Sequence, residues 1–353
     1  MASPPSRFER IVASPNAIWF FAAFYFSAYV PFTAMTKALA TGLYPPAGPT
    51  TPPIEGVAGA TLLPLSNIAS LIVVLTFLTM TGWWRHAGKR RIFGRAIPFP
   101  TRWTALSGLC SSLILTTATL AYTFSGVSIV FVMLLMRGGV LILAPLVDAL
   151  TGRKSRWFSW AGLVLSLGAL VAAFAEDGGY ALTTLAMVDI GVYLAAYFVR
   201  LRFMSRLAKS DDPDVMKRYF VEEQLMTVPF TVVLLTILAL IGQGEFMLQI
   251  RAGFTTYLGS GLVPETLLIG VFSQLVGIFG TLIFLDRREN TFSVPVNRCS
   301  SILSGVVASF ALALLLDGPV PSTHQLVGAG LVVGAIVVLS VAPMLSKGDE
   351  PAT

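Results

Sequence analysis

The chain alternates long apolar runs with short polar punctuation. Ten runs stand out, at about Pro15–Lys37, Leu62–Trp84, Trp103–Tyr122, Val127–Leu150, Trp157–Phe174, Thr183–Val199 (extending toward Met204), Tyr219–Ile241, Pro264–Leu285, Phe292–Leu316 and Thr323–Ala342. Each is close to the ~20 apolar residues that an α-helix needs to cross the hydrocarbon core of a bilayer. The pattern predicts an all-α, polytopic membrane protein of ten transmembrane helices. Little more than Thr123–Gly126 separates the third and fourth runs, which predicts a tight helical hairpin. The first run is too long for the apolar core of a cleavable signal and no convincing cleavage site follows it, so it reads as the first span.

Composition sharpens this picture. Of 353 residues, 55% are hydrophobic and 12% charged, against about a quarter charged in soluble domains. Mean hydropathy is +0.77. Cys110 and Cys299 lie inside apolar runs and read as small buried hydrophobes, not as a disulfide framework or metal motif. His86 and His324 are isolated, so no metal or cofactor is implied. There is no Gly-rich phosphate loop before a helix, no GxSxG elbow and no HExxH, which argues against an enzyme.

The net charge of +6 could point to nucleic acid, but the basic residues sit between apolar runs, as topology signals do. With both termini placed in the cytoplasm, twenty of the 24 basic residues fall in cytoplasmic segments and only Arg251 falls outside; Lys37, Arg137 and Arg298 lie within runs. That asymmetry selects ten spans with both ends inside. The Asp211–Asp212–Pro213–Asp214 stretch joins the two halves on the inner side.

The halves echo one another. Thr123-Phe124-Ser125 near the start of the fourth run parallels Thr291-Phe292-Ser293 before the ninth. Gly162 and Gly168 in the fifth run parallel Gly328 and Gly334 in the tenth, each pair following a loop glycine, Gly152 or Gly318. The chain reads as two five-helix repeats, residues 1–178 and 179–353. An odd number of spans per repeat inverts the second against the first, an architecture many secondary transporters use. Close helix packing is an alternative source of the glycine spacing.

Two stretches carry a family resemblance. AYTFSGVSIVFVMLLMRGGVLILAPLVDALTGRKSRWFSWAGLVLSLGALVAAF, from Ala121 to Phe174, resembles the drug/metabolite transporter superfamily: a short turn, a small-residue-rich helix, a basic loop, then W-x-G and a further Gly. Within it, MLLMRGGVLILAPLVDALTGRK is similar to the nucleotide-sugar-transporter-like solute carriers of family 35, especially the orphan F branch. TFSVPVNRCSSILSGVVASF and GPVPSTHQLVGAGLVVGA look like the matching second-repeat segments, where a basic residue precedes a serine-rich helix. Asp317 matches only loosely the acidic residue usual after the ninth span. The resemblance implies the inverted-repeat fold and a transport role, and no particular substrate.

Ionisable residues inside spans are costly and mark cavities, partners or interfaces. Arg137, beside Gly138 and Gly139 in the middle of the fourth run, is the first candidate for binding an anionic substrate; the competing assignment is an ion pair with Asp189. Arg298, with Asn297, is the second, and lies where the resemblance places a basic residue; snorkelling to the inner interface competes with ligand contact. Lys37 ends the first run on the outer side, where snorkelling is the first reading and a cavity-lining, substrate-binding cation the alternative. Asp189 and Tyr193, four residues apart, share a helical face. Gln274 and Tyr122 complete the candidate substrate site, with Asn67 a lesser one. Glu222 and Glu223, beside Lys217 and Arg218, read as solvated interface charge. Ser301, Gly305 and Ser309 read as a packing stripe.

The expected function is alternating-access transport of a small, anionic metabolite. Export of amino acids or amphipathic compounds is the rival, as is a translocase or accessory subunit for lipid-linked intermediates. The expected partners are the small-molecule substrate and the lipid bilayer; a homodimer is left open. Eighteen arginines against six lysines favour a bacterial cytoplasmic membrane over Golgi or endoplasmic reticulum.

Overall fold

Backbone taken into an apolar solvent must satisfy its own N–H and C=O groups, and helices do so within one segment. The structure, a computed structural model, describes residues 7–12, 14–43, 56–92, 95–120, 129–174, 184–210, 212–317, 320 and 323–346. Tyr122, the Thr123–Gly126 turn, the Thr-Phe-Ser motif of the first half, Gly318 and Lys347 lie outside these residues.

A short helix α1 (Arg7–Val12) is followed by α2 (Ala17–Thr41) and α3 (Gly59–Thr81), then a hairpin of β1 (Lys89–Ile92) and β2 (Arg95–Pro98). Next come α4 (Arg102–Leu120), α5 (Ile129–Leu150), α6 (Trp157–Phe174), α7 (Thr184–Leu207) and α8 (Pro213–Ile241). The chain ends with α9 (Gly244–Phe254), α10 (Val263–Phe284), α11 (Asn290–Leu316) and α12 (Thr323–Ser346). Ten of these helices, all but α1 and α9, have 18 to 29 residues and fall where the ten apolar runs predict helices. Five of them, α2, α3, α8, α10 and α11, are long and apolar enough among the described residues to cross a membrane; α6 and α12 contain shorter apolar stretches, Trp157–Ala172 and Leu326–Ala342.

Large aliphatic side chains face outward along the helices. Val164 is 63% exposed, Leu240 76% and Leu314 82%. Water would penalise each by about 1.5–3 kcal/mol relative to burial, so the outer surface is suited to lipid. The fold is that of an all-helical protein compatible with an integral membrane location.

Helix ends depart from the predicted runs. Asp212 caps α8, its carboxylate accepting from the Asp214 N–H at 2.9 Å with Pro213 in the first turn. Leu238 in α8 is met by the N–H of Gly242, whose φ of 57° closes the helix in the left-handed region. The segment Gly242–Val263, between the seventh and eighth apolar runs, contains α9; the basic stretch after α3 contains the β-hairpin. Helix α7 runs on to Leu207, so Arg200, counted with the loop cations, is a helical residue and is buried.

Neighbouring helices form a repeating pattern. Helix α2 packs on α10 and α11; α7 packs on α4 and α5. Helix α3 packs on α10, α4 on α8, α5 on α6, α11 on α12, and α6 on α12. Two close approaches match. A Cβ on Gly270 would collide with the Ser66 carbonyl of α3, and one on Gly108 would sit 2.9 Å from the Glu223 carbonyl of α8. A hydroxyl crosses at each: Ser70 Oγ donates to the Gly270 carbonyl at 3.0 Å, and Thr227 Oγ1 to the Gly108 carbonyl at 3.3 Å. Gly162 faces Leu339 and Gly328 faces the Ala169 carbonyl, so these two glycines serve the α6–α12 contact. Gly305 meets open space, so the Ser301–Gly305–Ser309 stripe is not a close-packing seam at its centre.

Candidate functional site

Helical periodicity places residues four apart on one face. The rings of Tyr25 and Tyr29 of α2 lie 5.2 Å apart, and those of Tyr193 and Tyr197 of α7 4.8 Å apart, each pair tilted. Between these pairs lie the two sequence-predicted cations. Arg137 of α5 donates from Nη2 to the Tyr29 hydroxyl at 3.4 Å. Arg298 of α11 lies over the Tyr197 ring at 5.0 Å and over Phe284 at 5.8 Å. The fields of both guanidiniums reach the hydroxyls of Tyr25 and Tyr193. Arg137, Arg298, Asn297 and Tyr193 are therefore gathered with three tyrosines that the sequence reading did not single out.

Arg298 is 6% exposed, and its Nε and Nη2 donate to nothing. That is the side-on edge of the guanidinium, whose two parallel N–H groups match a planar oxyanion. Three other arginines use this same edge on carboxylates. Arg156 gives Nε and Nη2 to Glu289 (both 3.2 Å), Arg200 to Glu223 (2.9 and 3.1 Å), and Arg288 to Asp286 (2.7 and 3.0 Å). The amide nitrogen of Asn297, 1% exposed, also lacks an acceptor. Cation–π contact contributes about 0.5–2 kcal/mol, less than the several kcal/mol that burying an ion costs. An oxyanion at the open edge would supply the remainder.

The other predicted residues stand apart from this cluster or are otherwise occupied. Asp189 is buried on α7, one turn from Tyr193, and both carboxylate oxygens lack a hydrogen-bond partner, so the proposed Arg137–Asp189 pair is not formed. Gln274 donates to Gln224 Oε1 at 3.2 Å and bridges α10 to α8. Lys37 is half-buried near the end of α2, about 12 Å along the axis from Tyr29. Tyr122 is outside the described residues. No group of three or more His, Cys, Asp or Glu residues suited to a metal occurs among the described residues.

Toward the end that carries the basic loops, the buried charged groups are paired or hydrogen-bonded. Glu222 and Glu223, expected to be solvated, are 1% and 0% exposed. Glu223 holds Arg200 and accepts from Ser107, while Arg200 also donates to Thr281. Glu222 accepts from the N–H groups of Gly88 and Thr101, from Thr104 Oγ1 and from Arg218. Asp148, fully buried at the end of α5, caps α11: its carboxylate accepts from the N–H and side chain of both Asn290 and Thr291 at 2.7–2.8 Å. Lys209 Nζ donates to the Arg288 carbonyl and Ser293 Oγ, and Arg153 donates to the Ser205, Lys209 and Arg287 carbonyls. Burial pushes the Lys209 ammonium down to about 7, further than nearby Asp148 and Asp286 hold it up. Burial raises the Glu289 carboxyl, but hydrogen bonds from Arg156 and Ser159 outweigh it and leave a net downward shift.

The sequence hides these carboxylates because each stands at the edge of an apolar run beside cations, where solvation is the ordinary outcome. The tyrosines had a fainter signal: two i, i+4 pairs at corresponding places in the first and sixth runs.

No family model and no curated protein matches this sequence. A solved structure described only as a "Crystal structure of protein" aligns over 96% of this chain and 100% of its own length, with a TM-score of 0.54 at 15% identity. A likeness at that identity shows a shared fold alone.

Proposed function

We propose that this protein is a secondary transporter of the drug/metabolite transporter type, with ten membrane-crossing helices in an inverted five-plus-five repeat and both termini in the cytoplasm. It carries a small anionic metabolite by alternating access, in the cytoplasmic membrane of a bacterium. Exchanging the first five long helices for the second five supports the repeat: α2 on α10 and α11 becomes α7 on α4 and α5, and α3 on α10 becomes α8 on α4. The Ser70–Gly270 and Thr227–Gly108 bonds exchange likewise. So does the site: Arg137 reaches Tyr29 within one half, and Arg298 stacks on Tyr197 within the other. Two mirrored halves about one site are the arrangement that alternating access needs.

The observation that carries the anionic substrate is the empty, buried Nε/Nη2 edge of Arg298. Uniform tight binding would trap a solute, so the halves must part. On the cytoplasmic side that means releasing Asp148 from Asn290 and Thr291, Arg153 from Lys209, and Arg156 from Glu289, all contacts between the halves. Purified protein reconstituted in liposomes, preloaded and assayed with nucleotide sugars, sugar phosphates, carboxylates and amino acids, tests the proposal. Anion exchange lost in both Arg137→Ala and Arg298→Gln is expected. Transport of neutral or zwitterionic solutes that survives both substitutions would favour an amino-acid or amphipath exporter instead.

A further inference from the structure

Where the β-hairpin meets the start of α4, a concavity of about 460 Å³ is lined by Lys89, Arg90, Phe99, Thr101, Arg102 and Arg218 among others. This volume is in the range of small-molecule sites. The Glu222 carboxylate beside it is spent on Arg218 Nε at 2.8 Å, Thr104 Oγ1 at 2.7 Å and two backbone N–H groups. Lys89, Arg90 and Arg102 are exposed and make no ion pair among the described residues. Arg90 lies over Phe99 at 5.4 Å and Arg102 over Trp103 at 4.6 Å, so aromatic rings fix both guanidiniums beside the hollow. The hairpin is seated closely, since a Cβ on Gly88 would come within 2.9 Å of Glu222 Oε1.

We infer that this hollow binds the phosphate of an anionic phospholipid of the cytoplasmic leaflet. Three uncompensated cations round one concavity supply the charge complement. The rim supplies the choice of lipid over a soluble phosphate: Ile97, Phe99 and Trp103 are 41%, 41% and 44% exposed beside the cations. Aromatic side chains with a wet and a dry face belong at the headgroup level, and inner-leaflet cations gain about 1 kcal/mol each near an anionic surface, a fivefold affinity factor. The inference rests on the proposed topology, with α4 entering the bilayer at Arg102 from the cytoplasmic side, and is independent of what the protein carries.

The test uses the full chain in neutral detergent, with dioctanoyl phosphatidylglycerol, dioctanoyl phosphatidylcholine, glycerol phosphate and inorganic phosphate as probes. Thermal shift and native mass spectrometry are the readouts. Phosphatidylglycerol is expected to raise the Tm and bind at one site, while phosphatidylcholine and both soluble phosphates leave the Tm unchanged. In Lys89→Gln/Arg90→Gln, which alters exposed side chains only, phosphatidylglycerol should bind about twenty-fivefold more weakly; Arg102→Gln gives a separate, smaller loss. Equal response to phosphatidylcholine, an equal response to soluble phosphate, or unchanged binding in these variants overturns the assignment. The Arg298-dependent anion assay is unaffected by any of these outcomes, so the two proposals fail separately.

Discussion

Arg200 and Arg298 are two arginines that share one ring, Phe284. Each is 6% exposed, and each lies 5.8 Å from the centre of Phe284. Their burial is the same and their chemistry is opposite. The Nε/Nη2 edge of Arg200 is filled by Glu223, with Ser107 and Thr281 completing the network; the same edge of Arg298 is empty. A buried cation whose hydrogen bonds are complete holds the bundle together. One whose strongest edge is left open is poised for a ligand, because a protein that needed it only for stability would have supplied the carboxylate.

Substitutions separate the two roles. The largest loss is expected from Glu223→Ala, which strands the Arg200 charge. Breaking a buried pair costs about 3–5 kcal/mol, so the protein should lose its cooperative melting transition in detergent, and Arg200→Met/Glu223→Leu should regain most of it. Asp148→Ala comes next. It removes the acceptor for four donors at the start of α11, and about 3 kcal/mol should be lost, with faster labelling of the buried Cys299 farther along α11. Lys209 gives a smaller, pH-dependent effect. Its folded value near 7 lies below the usual 10.5. Between those values the unfolded chain holds the proton and the folded chain does not. Stability should therefore rise with pH across this window, by at most about 1.4 kcal/mol per unit; melting at pH 7 to 9 checks this, and Lys209→Met should flatten the slope. Arg298→Gln should not lower stability, because it removes an incompletely compensated buried charge and orphans no protein carboxylate.

The helices were legible as long apolar runs, and the two central cations because charge in such a run is conspicuous. The ends were not legible. Arg200 and Glu222 stand at run edges among Lys and Arg, and only the hairpin of α7 and α8 brings Glu223 to a partner 23 positions away. Helix α9, with 11 residues, and the basic strand Lys89–Ile92, with 4, are too short to announce themselves as apolar runs. Tyr25, Tyr29 and Tyr197 read as ordinary apolar bulk until a guanidinium is placed over one of them.

The most direct measurement compares anion-induced thermal shifts of the wild type with those of Arg298→Gln and Lys37→Gln, across organic phosphates, nucleotide sugars, carboxylates and amino acids. At least one anion should stabilise the wild type and Lys37→Gln while leaving Arg298→Gln unmoved. A shift of equal size in all three proteins would contradict the role assigned to the open edge of Arg298.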